Sequence, residues 1–207
     1  MILPEPNIKR AITFFDGQNL YHGAREAFGH AWPKYDPTKL SHAVCTAHGW
    51  SLKAIQFYTG MPLAAEDPFW NAWWQKKLLT ISRGGAHVTR RDLKYRDREI
   101  DIGDGCVLTR RIGEEKGIDV RIAVDLIRRT YDQDMDVAIV FSQDQDLAEA
   151  TQEAKRIARA QGRWFKIASA YPESPAYRNR RGINDTDWFR MDEAFYDACV
   201  DERDYRP

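Results

Sequence analysis

Two short segments place carboxylates where a folding chain has least reason to put them. Asp136-Val-Ala-Ile-Val-Phe-Ser-Gln-Asp-Gln-Asp-Leu147 is an apolar run that ends in Ser142, Asp144 and Asp146, and Ala11-Ile-Thr-Phe-Phe15 is another that ends in Asp16-Gly-Gln-Asn19. Two carboxylates about 4 Å apart repel by roughly 4 kcal/mol at an effective dielectric of about 20. Something must compensate, and a divalent cation is the usual agent. Asp119 is a third candidate: it opens a stretch in which Ile122, Ala123, Leu126 and Ile127 fall on one helical stripe.

These acids can meet only if the elements before them run side by side. Strands are expected near residues 11–15, 53–59, 136–142 and 163–169, with a weaker one near 86–89 and helical spacing between most of them. The runs at 11–15 and 136–142 are apolar on both faces, which together with the alternation indicates a mostly parallel sheet covered on both sides. The expected architecture is a three-layer α/β/α sandwich. In such a sheet the residues just past the strand ends share one rim, where ligands bind. Asp16 and Asp144 stand just past such ends, and right-handed crossovers bring the start of the Asp119 helix to the same rim.

Aspartate at a strand-to-helix junction is also an ordinary N-cap, so cap and ligand both remain open for Asp119 and Asp146, the latter two residues beyond Asp144. Asn19 is open to a helix-start role or to holding a phosphate oxygen or an ion-bound water. Asp125, about 120° around the helix from Asp119, is expected to pair with Arg121, Arg128 or Arg129.

Helices are expected over Gln18–Phe28, stopped by Gly29, over Pro68–Ser82, stopped by Gly84-Gly85, from Asp119 onward, and over Leu147–Gln161, stopped by Gly162. Tyr95–Gly117 suits a hairpin or mobile flap. Tyr171–Asp187, rich in Pro, Arg, Asn and Gly, reads as an ordered arm leading to a short helix near Asp192–Val200. The domain reading is a catalytic unit over 1–170 with a C-terminal arm and helix, 171–207, packed on it.

With 31 basic and 31 acidic residues, the overall charge gives no argument for a polyanionic partner, so any such partner needs a local patch. Cys45, Cys106 and Cys199 are odd in number, widely spaced and without a Cys-x-x-Cys pair, which argues against a disulfide framework or a zinc knuckle. With no basic leader and no run of ~18 apolar residues, the expected setting is the cytoplasm.

Three segments together resemble the NYN domain, a branch of the PIN-like nuclease superfamily: Phe15-Asp16-Gly-Gln-Asn19-Leu-Tyr21, Glu115-Lys116-Gly-Ile-Asp119-Val followed by Ala123-Val-Asp125-Leu, and Ser142-Gln-Asp144-Gln-Asp146-Leu. The likeness extends from about Ile12 to Ala170 in the same order and spacing. It implies a Rossmann-like PIN fold and a Mg²⁺- or Mn²⁺-dependent ribonuclease, with Asp16, Asp119, Asp144 and Asp146 matching the family's metal-centre acids and Asn19 its motif asparagine. The sequence departs at Gln143, where the family often has Gly, and at Leu147, where Phe is frequent; the first puts the turn conformation in question and the second concerns packing.

The chemistry implied is metal-assisted hydrolysis of an RNA phosphodiester. An acidic centre needs cations nearby to attract RNA, and Lys116, Arg110, Arg111, Lys94 and Arg96 are the substrate-binding candidates, with Arg90, Arg91, Arg178, Arg180 and Arg181 as supplements. Tyr95 and Tyr177 are candidates to stack on unpaired bases of a single strand. Asp92, Asp97, Glu99, Asp101 and Asp104 dilute the cluster, so solvated charge is the plain alternative. Trp70, Trp73 and Trp74 share one helix face, which calls for core packing, a substrate wall or a homodimer interface. The five histidines lack metal-ligand spacing, and no Gly-x-Gly-x-x-Gly follows the first strand. The competing readings are a PIN-like domain that binds RNA or protein without cutting, a phosphate-ester or other small-molecule enzyme on the same sheet, and a toxin or defence factor restrained by a partner.

Overall fold

The computed structural model describes residues 3–101, 103, 106–175 and 177–207. Its elements are β1 (Arg10–Asp16), α1 (Gly17–Phe28), α2 (Pro37–His48), β2 (Ser51–Met61), α3 (Pro68–Arg83), β3 (His87–Asp92), β4 (Lys94–Asp101), β5 (Val107–Glu114), α4 (Ile118–Tyr131), β6 (Val137–Phe141), a 3-10 turn (Gln145–Leu147), α5 (Ala148–Ala160), β7 (Lys166–Pro172), β8 (Asp187–Met191) and α6 (Glu193–Asp197).

Six strands form one sheet in the order β3-β2-β1-β6-β7-β8, every neighbouring pair parallel. The double-sided apolar character of β1 and β6 is what fixes their central place. Alternate residues of each feed opposite cores: Ala11, Phe15, Val137, Ile139 and Phe141 pack with Leu20, Leu40, Val44, Trp73 and Leu78 of α1, α2 and α3. Ile12, Phe14, Ala138 and Val140 pack with Ile118, Ile122, Leu126 and Ala154 of α4 and α5. This is the expected three-layer sandwich.

The tryptophan face of α3 is occupied. Trp73 and Trp74 are buried, and Trp32 lies 4.8 Å from Trp70 and 6.2 Å from Trp73, ring centre to ring centre, so packing uses the stripe that raised dimerisation. Tyr205, near the C-terminus, meets Trp73 edge-on at 5.5 Å. Asp125 is held by Arg121, as expected, and also accepts from the Tyr58 hydroxyl at 2.9 Å.

Two elements were not anticipated. α2 is capped by Asp36, whose side chain accepts from the Thr38 and Lys39 amides, begins with Pro37 and ends at Gly49. β8 is an edge strand lying inside the stretch read as arm and helix; it pairs with β7 from Ala168↔Asp187 to Pro172↔Met191. Tyr95–Gly117 does contain a hairpin, β4 against β5, separate from the main sheet. Asp104, counted above among the diluting acids, lies outside the described residues. No helix of the described residues is long and apolar enough to cross a membrane.

Candidate active site

The chain leaves β1 outward to β2 and β3 on one side, and β6, β7 and β8 lie on the other, so the order reverses between β1 and β6. Ligand crevices of open α/β sheets form at such a reversal, beyond the strand ends. Phe15 pairs with Phe141 in register, and the next residues, Asp16 and Ser142, emerge side by side. Local hydrogen bonds then shape the rim. Ser142 Oγ donates to Asp16 Oδ2 at 3.3 Å and accepts the Asp144 N–H at 3.1 Å. Asp16 Oδ1 caps α1 through the Asn19 N–H at 3.0 Å, and Asn19 Oδ1 accepts the Gln143 N–H at 2.9 Å. Asn19 therefore spends its carbonyl pinning the Asp144 turn to α1.

Asp119 arrives from the other side. Of the two readings open for Asp119, the cap is not the one found: the cap position is Gly117, in the left-handed region at φ 75°, and no side chain caps there. Asp119 sits in the first turn, its carboxylate spared for the cavity. That cavity, about 240 Å³, is lined by Asp16, Glu115, Lys116, Gly117, Ile118, Asp119 and Asp144. Asp146 is exposed and is not among the lining residues; its N–H donates to Asp144 Oδ1 at 3.0 Å.

Glu115 was missed as a functional residue. Its Oε2 accepts the Gly60 N–H, and a Cβ on residue 60 would come within 2.6 Å of that oxygen, so glycine is what lets the carboxylate reach the backbone. Its only signal in the sequence was its place beside Lys116 in the Asp119 segment.

Electrostatics tie these acids together. Burial pushes the Asp16 carboxyl up to about 6, and the charges of Asp144 and Asp119 push in the same direction, against the Asn19 N–H and the Ser142 hydroxyl. Burial also lifts Glu115 to about 7, helped by Asp16 and Asp119 and opposed by the Gly60 N–H. Asp16, Glu115, Asp119 and Asp144 thus share one field, with Lys116 the lone cation lining the cavity among the described residues. Among the described residues no three acids, histidines or cysteines are close enough to grip an ion as they stand. An all-oxygen donor set carrying excess negative charge fits a hard divalent cation.

A family model, the NYN domain, matches residues 10–180. The chain belongs to the NYN family. That family is PIN-like, and its members are generally nucleases. A solved structure of a protein of unknown function from Vibrio parahaemolyticus RIMD 2210633 is similar in fold, with TM-score 0.52 and 19% identity, covering 93% of this chain and 99% of that one. No curated protein matches.

This NYN domain explains its own departures from the family pattern. The positive φ values of non-glycine residues in the described chain belong to Gln133 and Asp185, so the turn at Gln143 needs no glycine. The Gln143 side chain instead lashes the arm to the turn, donating to the carbonyls of Asn179 and Arg181 and accepting from the Tyr177 hydroxyl at 2.9 Å. Gln145 adds a bond to the Gly182 carbonyl and accepts the Asn184 N–H. Tyr177 is buried by this contact, which removes it as a base-stacking platform. Leu147 is buried in the α4/α5 core. Among the cationic candidates, Lys94, Arg96 and Arg110 are exposed on the hairpin and Lys116 reaches Glu114 at 3.4 Å, whereas Arg111 is held by Glu66 at 2.7 Å and stacks over Tyr95.

Proposed function

We propose that this NYN domain is a Mg²⁺- or Mn²⁺-dependent ribonuclease that cuts within single-stranded RNA. The observation that carries the reading is the common electrostatic field of Asp16, Glu115, Asp119 and Asp144 around one cavity at the sheet's reversal point. Asp16, Asp119 and Asp144 would hold the ion, with Asp146 at the outer edge. A bound divalent ion lowers the pKa of an attacking water and stabilises the charge that develops during in-line displacement at phosphorus. Lys116 draws a phosphate toward the acids, with Lys94, Arg96 and Arg110 farther out; Arg111 is left out because Glu66 and Asp97 already occupy it. Asn19 keeps Asp144 in register with Asp16 through the Gln143 amide.

A second reading, a domain that binds RNA or protein without cutting it, is favoured by one observation: the acids face each other across the cavity without forming a ready-made ligand set. Assays of RNA, DNA and simple phosphate esters with Mg²⁺, with Mn²⁺ and with EDTA separate these readings. Cleavage of RNA that EDTA abolishes is the expected result; turnover of the esters alone would favour a small-molecule phosphatase.

Ion binding should also depend on pH. Asp16 and Glu115 hold protons up to about 6 and about 7, and a cation must displace them. Mn²⁺ affinity is expected to rise at least about tenfold from pH 5.5 to 7.5, with proton release visible as a buffer-dependent binding enthalpy. A flat affinity across that window would show that these carboxyls do not meet the ion.

A further inference from the structure

The β4–β5 hairpin stands outside the main sheet as a two-stranded ribbon. Directly opposed residues of an antiparallel pair share a face, so the register sets the composition of each side. One side carries the pairs Lys94↔Glu114, Arg96↔Ile112, Arg98↔Arg110 and Ile100↔Leu108; the other carries Tyr95↔Gly113, Asp97↔Arg111, Glu99↔Thr109 and Asp101↔Val107. The alternation sorts charge. Among the paired, described residues, Lys94, Arg96, Arg98 and Arg110 face one way against the single acid Glu114, and Asp97, Glu99 and Asp101 face the other way against the single cation Arg111.

Both faces carry an excess of one sign, and they differ in which sign is left over. On the acidic face Arg111 bonds Glu66 and reaches Asp97 at 3.4 Å. On the basic face Arg96, Arg98 and Lys116 all converge on the one Glu114 carboxylate, and Arg98 stands directly opposite Arg110. Like charges directly opposed destabilise a sheet pair, and a two-stranded hairpin is marginal to begin with. An anion lying over this face removes that cost. Lys116 lines the acidic cavity and shares Glu114 with Arg96 and Arg98, so cations lead from the carboxylates onto the basic face of the ribbon.

Residues two apart on a strand repeat every roughly 6.8 Å, a stride suited to successive phosphates of an extended chain. Ile112, Leu108 and Ile100 alternate with the cations on the same face, and Leu108 is 51% exposed, so apolar surface is available to bases splayed from an unpaired strand. We propose that this face is a track for a single strand of RNA leading out of the carboxylate cavity, with Arg98 and Arg110 as its paired phosphate contacts and Arg111 outside it. The direction of the strand rests on the ribonuclease reading; the binding does not.

The test is fluorescence anisotropy with a labelled oligouridylate of about 20 nucleotides and with its duplex, over a range of salt, using the full chain carrying Asp16→Asn so that the probe survives. The Arg98→Ala/Arg110→Ala pair should weaken single-strand binding about tenfold or more near 0.1 M salt and reduce the salt slope by about 1.4, two contacts at about 0.7 each. Arg111→Ala removes the same type of charge from the opposite face and should stay within about twofold. The Arg98→Lys/Arg110→Lys pair should keep most of the slope. An unchanged affinity and slope in the alanine pair, an equal loss in Arg111→Ala, or tighter binding of the duplex overturns the track. If the unmodified protein cleaves no RNA but the alanine pair still loses binding, the hydrolytic reading fails and the track stands.

Discussion

Asp16→Asn is expected to lower RNA cleavage by at least about a thousandfold while raising the stability of the metal-free protein at pH 8. Both effects come from one carboxylate. It contributes charge to the proposed ion site, and without an ion that charge is buried beside Asp144 and Asp119. Asparagine can still accept the Asn19 N–H, so the α1 cap survives. The displacement of Asp16 from the usual aspartate value to about 6 corresponds to about 3 kcal/mol at roughly 1.4 kcal/mol per unit. A gain of about 1–3 kcal/mol is therefore expected.

The sign of the pH effect follows from the raised values. In the metal-free fold Asp16 and Glu115 keep protons to about 6 and about 7, whereas the unfolded chain releases them near pH 4. Their contribution is therefore fully present below about pH 4 and is lost as pH rises through 6 to 7. Thermal melts in EDTA should show the parent losing stability over that window more steeply than Asp16→Asn. A variant that is inactive but no more stable at pH 8, with an unchanged pH slope, would mean that the acids do not repel one another.

Asp201→Ala is expected to cost about 3–5 kcal/mol, the usual range for breaking a buried ion pair from one side. Lys77 on α3 has a fully buried side chain, with Nζ 3.0 Å from the Tyr35 carbonyl and 3.4 Å from Asp201 Oδ2. Burial lowers its pKa to about 8, and Asp201 opposes that shift. The rings of Tyr35, Trp73 and Tyr205 lie 5.6, 5.6 and 5.3 Å from the ammonium. Without Asp201 the ammonium keeps a carbonyl, three ring faces and the field of Asp36, but no carboxylate in contact. A chain of this size should melt about 10 °C lower. Asp201→Ala combined with Lys77→Met should recover most of the loss, because an apolar side chain of similar length needs no partner. Calorimetry checks both, and a cost below about 1 kcal/mol for the single variant would show that the pair does not hold the C-terminal residues against α3.

The sequence carried the centre of the sheet better than its edges. β1 and β6 could be read because every residue from Ala11 to Phe15 and from Val137 to Phe141 is buried, which leaves runs that are apolar but for Thr13, with an acid within three residues of each end. α2 was lost because its core side is thin: Leu40, Val44 and Cys45 are interleaved with Thr, Ser and His, although Asp36-Pro37 and Gly49 marked both ends. β8 left only a short apolar signature, Trp188, Phe189 and Met191 broken by Arg190, because it is an edge strand with only Met191 fully buried. The orientation of Arg111 depends on cross-strand register, which local composition does not encode. Glu115 acquires its environment from Gly60, 55 residues earlier in the chain.

A crystal soaked in Mn²⁺ and measured for anomalous scattering tests the central claim most directly. The account predicts a peak inside the cavity bounded by Asp16, Asp119 and Asp144, lost in an Asp16→Asn crystal treated in the same way. A cavity that stays free of anomalous density at saturating Mn²⁺ would contradict it.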